Sequence, residues 1–320
     1  MIVQADEGAI AQAARILREG GLVAFPTETV YGLGADATNG KAVARIYEAK
    51  RRPRFNPLIA HVENLDAARD LVEFNSAALA LAERFWPGPL TLVLPLRAGA
   101  RHTVSGLVTA GLGTLAVRVP AHPVALRLLA AAGVPVAAPS ANLSGRVSPT
   151  NARHVEQDLG GAVDAILDGG ATEAGVESTI ASFAPAPTLL RPGGLAREEI
   201  EAVLGMRLQD YRAETIQAPG QLESHYAPRA QLTLNATQAR AAEALLAFGP
   251  GYPEAVLNLS PGGDLREAAA NLFAYLRELD ARGPARIAVT PIPGNGLGEA
   301  INDRLARAAA PRPPLGKRTI

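Results

Sequence analysis

The sequence predicts an α/β protein. Two observations carry that expectation: apolar runs alternate with helix-period segments along the chain, and 48% of the residues are apolar, enough for a sizeable core. At 320 residues, a prior of about 150 per domain gives two domains. The first helix is expected over residues 6–18, where Ile10, Ala13, Ala14 and Leu17 recur at helical spacing before Gly20-Gly21 stops the segment. Strands are expected over 22–25, 58–62, 91–95, 115–119, 134–138, 165–168, 179–183 and 188–190. Helices fit between them over 42–50, 77–85, 123–132, 152–159 and 197–204. The periodic signal lapses from 206 to 230, a stretch longer than most connections in compact domains. A second βαβ-type series then starts at 231, with a helix over 264–279 that puts Leu265, Ala268, Leu272, Tyr275, Leu276 and Leu279 on one face. The tail from 311 to 320 holds three prolines and reads as loosely ordered.

The composition excludes several chemistries. With no cysteine there is no disulfide, thiolate metal site or thiol nucleophile. Lys and Arg total 31, as do Asp and Glu, so the zero net charge lacks the excess of a strongly basic nucleic-acid binder. No apolar run approaches the roughly 18 residues of a spanning helix, and the first residues show no secretory h-region, so a cytoplasmic protein away from membranes is expected. No GxxxxGK[ST], HExxH or GxSxG motif occurs. Gly32-Leu33-Gly34-Ala35-Asp36-Ala37 formally matches GxGxxA, but Thr38-Asn39-Gly40 interrupts any helix there, and a turn is expected instead.

Individual motifs leave two readings open. Lys50-Arg51-Arg52-Pro53-Arg54 suits either a solvated helix end complementing the dipole or a rigid cationic site for polyphosphate. Pro139-Ser140-Ala141-Asn142-Leu143-Ser144-Gly145 follows an apolar run and suits either a turn or the ligand-binding end of a sheet. Arg118 and Arg191 on strands, His61, and Glu177-Ser178-Thr179 each have an equally ordinary structural reading.

Their order is more specific than any one of them. Phe25-Pro26-Thr27-Glu28-Thr29-Val30-Tyr31-Gly32-Leu33-Gly34 is followed by Lys50-x-Arg52, Asn56-Pro57-Leu58-Ile59 and Trp86-Pro87-Gly88-Pro89-Leu90-Thr91. Ala116-Val117-Arg118, Ser140-x-Asn142, Gly175-Val176-Glu177-Ser178-Thr179 and Leu190-Arg191-Pro192-Gly193 complete the series. This order resembles the YrdC-like threonylcarbamoyl-AMP synthases over residues 8–205. His225-Tyr226-Ala227-Pro228 and the segment 296–304 extend the resemblance to the long, two-domain form.

The resemblance implies a twisted mixed α/β sheet around a large concave cleft, plus a smaller Rossmann-like α/β domain. It divides the chain into a catalytic domain (1–205), a linker and candidate lid (206–230) and a C-terminal domain (231–320). It implies synthesis of threonylcarbamoyl-AMP from L-threonine, bicarbonate and ATP with release of pyrophosphate. The threonylcarbamoyl group then reaches tRNA through downstream transferases. Lys50, Arg52, Asn56, Thr114, Ser140, Asn142, Ser148, Arg191 and Tyr226 would face ATP, with Lys50 and Arg52 as the catalytic cations. Thr29, His61, Arg118 and Ser178 would hold threonine, Arg118 as a bidentate partner of its carboxylate. Mg²⁺ would come with ATP, held by phosphates and water with no ligand from protein side chains. Lys50 and Arg52 are expected to face ligand rather than core, with Arg51 turned elsewhere. Two rivals are a carbamoyl-adenylating module of the same fold and a non-catalytic protein binding double-stranded RNA or tRNA. Zero net charge and the lack of an aromatic stacking motif weigh against the second.

Overall fold

The first helix shows how local sequence sets the frame. Asp6 caps it by accepting from the Ala9 amide at 2.8 Å, and Arg15 and Arg18 close its last turn. In the computed structural model, which describes residues 1–100, 103–211 and 216–311, that helix is one of ten. The first part of the chain forms β1 (Ile2–Gln4), α1 (Glu7–Arg18), β2 (Val23–Phe25), β3 (Gly32–Asp36), α2 (Gly40–Lys50), β4 (Ile59–His61), α3 (Leu65–Arg69), α4 (Ser76–Phe85) and β5 (Leu90–Pro95). There follow α5 (Gly106–Thr109), β6 (Thr114–Arg118), α6 (Pro123–Ala132), β7 (Val136–Ala137), α7 (Ala152–Leu159), β8 (Ala165–Asp168), β9 (Thr179–Ser182), β10 (Thr188–Arg191), α8 (Arg197–Leu204) and β11 (Gln209–Asp210). The second part forms β12 (Gln231–Thr233), β13 (Glu243–Ala247), β14 (Leu257–Asn258), α9 (Leu265–Ala281), β15 (Arg286–Val289) and α10 (Leu297–Ala309).

Among the described residues the first eleven strands make one mixed sheet, ordered β1-β8-β2-β3-β7-β4-β6-β5-β9-β10-β11, and the last four a parallel sheet, ordered β12-β15-β13-β14. Ile10, Ala14 and Leu17 of α1 pack with Leu128 of α6 against Val23 and Phe25 on one sheet face. The other face carries the main core, in which Val43 and Ile46 of α2 and Leu81 of α4 meet Leu33, Leu92 and Val117. At the β4-β6-β5-β9-β10 end, the face opposite that core carries only a small apolar cluster of Ile59, Val93, Ala116, Ile180 and Leu190, covered by Ala218. That thinly covered face is where the cleft opens.

Three expectations need correction. Residues 32–36 are strand, antiparallel to β2, and not a turn. A Cβ at Gly34 would lie 2.8 Å from Phe25 and 2.9 Å from Val136, so the glycine serves close packing inside the sheet. The apolar run 134–138 forms strand only over Val136–Ala137; single bonds from the Ala37 amide to the Pro135 carbonyl and from the Ala138 amide to the Ile59 carbonyl continue the pairing, but Pro135 and Pro139 have no amide to extend it. The stretch 206–230 contains β11, which extends the first sheet beyond residue 205. Residues 312–320, nearly all of the tail expected to be loose, lie outside the described residues.

Candidate active site

Strand period builds the floor of the cleft. On β4 and β6, Ala60 and Val117 point into the main core, so Ile59, His61, Ala116 and Arg118 share the opposite face. The parallel register pairs His61 with Arg118, which puts an imidazole beside a guanidinium on neighbouring strands. Around them stand Thr27 and Thr29 after β2, Arg52 after α2, Ser140 after β7, Ser178 before β9 and Arg191 at the end of β10. Pro219, Gly220, His225 and Tyr226 of the 206–230 segment form the remaining wall.

Of the expected site residues, the cleft thus brings together Thr29, Arg52, His61, Arg118, Ser140, Ser178, Arg191 and Tyr226. Lys50, Asn142 and Ser148 stand behind this wall as its supports. The Lys50 ammonium donates to the carbonyls of Ser140 and Asn142, both at 2.5 Å, and Ser140 Oγ donates to Asn142 Oδ1 at 2.5 Å. Asn142 Nδ2 ties the loop to the Leu143 and Arg146 carbonyls. Ser148 Oγ donates to Glu177 Oε1. Asn56 offers its carbonyl to Arg52 Nε at 3.2 Å, while its Oδ1 is buried without a partner among the described residues. Thr114 is not among the cleft walls: it starts β6, about 13 Å along the strand from Arg118 at 3.3 Å per residue.

Three guanidinium groups give the cleft its field. Arg118 Nη2 is held 2.7 Å from Glu28 Oε1 and 3.0 Å from Thr29 Oγ1, and its Nε donates to the Gly88 carbonyl. Arg191 grips Ser178 through the carbonyl at 2.8 Å and the hydroxyl at 3.1 Å, and reaches Pro219 O from the 206–230 segment. Burial, followed by a balance of neighbours, pulls Arg52 down to about 10, which still leaves it charged at neutral pH. Lys50 is pushed well below its ordinary value, by burial first and then by Arg52. Burial and the Arg118 charge bring His61 down to about 3, so its imidazole is neutral and a weak base. Its Nδ1 is buried with no partner among the described residues. Buried polar atoms are normally satisfied, and His61 lines the cleft, so its Nδ1 marks a position where a ligand can supply the missing bond.

Sequence reasoning passed over Glu28 and Glu177. Both stand inside quoted motifs, but nothing local shows that Glu28 would bridge Arg118 and the Ala121 amide. Burial raises Glu177, yet Arg304, Arg191 and the bond from Ser148 outweigh it and hold the carboxyl at about 2. The set of fixed cations, hydroxyls and a neutral imidazole suits positioning an anionic, phosphate- or carboxylate-bearing ligand.

Known proteins share this fold and much of this sequence. The family model described as "Telomere recombination" (Sua5, YciO, YrdC) matches residues 15–193, and that described as "Threonylcarbamoyl-AMP synthase, C-terminal domain" matches 195–310. The chain is 44% identical to the threonylcarbamoyl-AMP synthase of Bacillus subtilis, over 95% of this chain and 93% of that one. It is equally 44% identical to the Pyrococcus abyssi threonylcarbamoyl-AMP synthase, over 96% of each. Its fold matches the crystal structure of P. abyssi Sua5 complexed with L-threonine with a TM-score of 0.89, at 42% identity over 97% of both chains. The chain belongs to the Sua5/YciO/YrdC family, in the form that carries the C-terminal domain.

Proposed function

We propose that this chain is a threonylcarbamoyl-AMP synthase, serving threonylcarbamoyladenosine modification of tRNA. The observation that carries the reading is the convergence of Arg52, Arg118 and Arg191 with neutral His61 on one cleft, in a chain similar over nearly its full length to synthases of that name. L-Threonine and ATP are the substrates; bicarbonate supplies the carbamoyl carbon. The threonine amine and bicarbonate combine with loss of water to give an N-carboxylate. One of its oxygens then attacks the α-phosphorus of ATP, and the bond to pyrophosphate breaks. No enzyme nucleophile is needed; positioning and fixed charge suffice.

Arg118 and Thr29 orient the threonine carboxylate, with His61 and Ser178 beside it. Arg52, Ser140, Arg191 and Tyr226 face the nucleotide, supported by Lys50, Asn56, Asn142 and Ser148, with Thr114 farther along. Of the carboxylates at the cleft, Glu28 is taken by Arg118 and the Ala121 amide, and Glu177 by Ser148 and Arg304. That donor set fits Mg²⁺ held on ATP phosphates and water, where it neutralises phosphate charge. The segment 206–230 acts as a lid between a catalytic domain, 1–205, and a C-terminal domain, 231–320. Separate sheets support two domains; β11 carries the first sheet to residue 210, and the two family-model matches meet at 193–195. No helix among the described residues is long and apolar enough to cross a membrane, in line with cytoplasmic work on tRNA through partner transferases.

Incubation with ATP, bicarbonate and threonine should yield threonylcarbamoyl-AMP by mass spectrometry, with pyrophosphate release that requires threonine. Serine, short of one methyl, should be poorer by about 1–3 kcal/mol in kcat/KM. Equal pyrophosphate release without any amino acid overturns the assignment.

A further inference from the structure

Arg304 lies on α10, in the C-terminal part of the chain, and is 0% exposed. Its Nε donates to Glu177 Oε2 at 2.8 Å, its Nη2 to the Pro192 carbonyl at 2.9 Å, and its Nη1 to Asp303 Oδ2 at 2.6 Å. Its Cζ sits 5.0 Å from the centre of the Tyr226 ring. Glu177 and Tyr226 both line the cleft, and the second Glu177 oxygen receives the Ser148 hydroxyl. One guanidinium thus ties together the strand-end segment before Ser178, the turn after Arg191 and the aromatic ring of the 206–230 segment. Only a planar fork with a π face can do all three; a lysine ammonium is a point charge.

We infer that Arg304 is a positioning residue for the adenylation site, through which the C-terminal domain sets the Glu177 carboxylate and the Tyr226 ring on the nucleotide side of the cleft. The inference rests on the function proposed above. Other contacts between the two parts already act as staples. Arg197 pairs with Glu299 at 2.6 Å, and Arg277 pairs with Asp158 at 2.7 Å while holding the Val147 carbonyl. Among these three arginines, Arg304 is the one whose partners wall the cleft. Without it, Glu177 would be a buried carboxylate lacking its nearest cation, free to draw Ser148 and Arg191 out of register.

The test compares the whole protein with Arg304→Lys, Arg304→Met and, as a staple control, Arg197→Ala. Steady-state kinetics with ATP and with threonine varied separately, threonine calorimetry and thermal melting are read together. Arg304→Lys keeps charge and bulk, so it should fold even where Arg304→Met does not. Its kcat/KM for ATP should fall at least about tenfold, as expected when groups that position the nucleotide are displaced, while threonine affinity stays within about twofold. Arg197→Ala should keep ATP turnover within about twofold, because its partners, Glu299 and Asp210, lie outside the cleft wall. The inference is overturned if Arg304→Lys turns over ATP within about twofold of the wild type, or if Arg197→Ala loses as much as Arg304→Lys. Threonine-dependent pyrophosphate release by the unmutated chain separately tests the functional reading. Were that absent, nucleotide binding would still decide: weaker ATP binding in Arg304→Lys at unchanged threonine affinity supports the inference, and unchanged ATP binding overturns it.

Discussion

Arg51 sits between two buried cations with a φ of 51°, as the left-handed cap of α2. That backbone conformation throws its side chain into solvent while Lys50 and Arg52 turn inward, 1% and 8% exposed. Arg51→Ala should therefore leave turnover unchanged, and Arg51→Gly should match or raise stability by up to about 1 kcal/mol, because glycine adopts this conformation without strain. A melting temperature lowered by Arg51→Gly would contradict this. Lys50 departs from the sequence expectation that it contacts ligand rather than core. Its ammonium is held by two backbone carbonyls, so Lys50→Ala should lose activity and also about 1–3 kcal/mol of stability as those acceptors lose their donor. Urea unfolding beside a turnover assay checks both effects. The four-cation run stood out in the sequence with two readings, and the fold buries Lys50 and Arg52 while leaving Arg51 and Arg54 exposed. The support role of Lys50 was not legible there, because its acceptors lie some ninety residues away in sequence. Buried histidines add a pH signature. His61 and His225 are both held near 3 by burial, so the fold keeps them neutral while the unfolded chain protonates them below 6.5. Their contribution is complete above 6.5 and is lost as pH falls toward 3, by about 2 kcal/mol per histidine at about pH 5. Glu177 adds a loss in the same direction below its ordinary 4.5. Unfolding at about pH 7.5 and about pH 5 should show the drop, and His225→Asn should shrink it; a flat profile would refute the neutral burial.

The elements most readily read from the sequence were those whose period and caps agree. Helix α9 presents Leu272, Leu276 and Leu279 to its core, and Asp264 accepts from the Arg266 and Glu267 amides at its start. Strand β3 was misread because it holds two glycines, which ordinarily weaken strands. The reason for Gly34 is the Phe25 ring and the Val136 methyl across the sheet, which no local pattern reveals. Strand β7 was over-extended for a related reason: an apolar run does not report where ladder donors are missing, and Pro135 and Pro139 on either side of the strand have no amide to give. The same kind of close approach makes a prediction in the 206–230 segment. Gly220 has a φ of 89°, and an added Cβ would lie 2.8 Å from both Arg191 Cδ and the Tyr226 hydroxyl. Gly220→Ala should lift the segment from Arg191, raising KM for ATP several-fold while threonine affinity holds, at a stability cost of about 1 kcal/mol for the left-handed backbone. Unchanged KM in steady-state kinetics would show that the segment's fit against Arg191 does not matter to the nucleotide.

Two sheets and the segment between them make one working unit because the segment divides into unlike halves. From Pro219 to Pro228 it is clamped. The Ala227 amide reaches the Gly145 carbonyl at 2.8 Å, the His225 amide reaches Arg307 at 3.2 Å, and the Tyr226 ring stacks on Phe273 with centroids 5.5 Å apart. Tyr226 accordingly belongs to the C-terminal core, and its docking role and its place on the cleft wall are two faces of one contact. Before it, Leu208 is buried in the main core and β11 pairs with β10, while Met206, Arg207, Gln209 and Asp210 are exposed and Ala218 covers the thin apolar cluster over β4 and β6. Such a segment opens most cheaply where few buried contacts must break, so any lid motion lies ahead of Pro219 and not in 219–228. Hydrogen exchange followed by mass spectrometry should show fast exchange of peptides from 206–218 in the free protein and slow exchange of those from 219–228. ATP and threonine together should slow the first set markedly, since a closed lid is the state that excludes water from the reacting groups. Either ligand alone should do less, because closure needs both sides of the cleft filled. Equal exchange of the 206–218 peptides with and without ligands would refute the lid and leave the segment as a fixed wall holding Tyr226 in place.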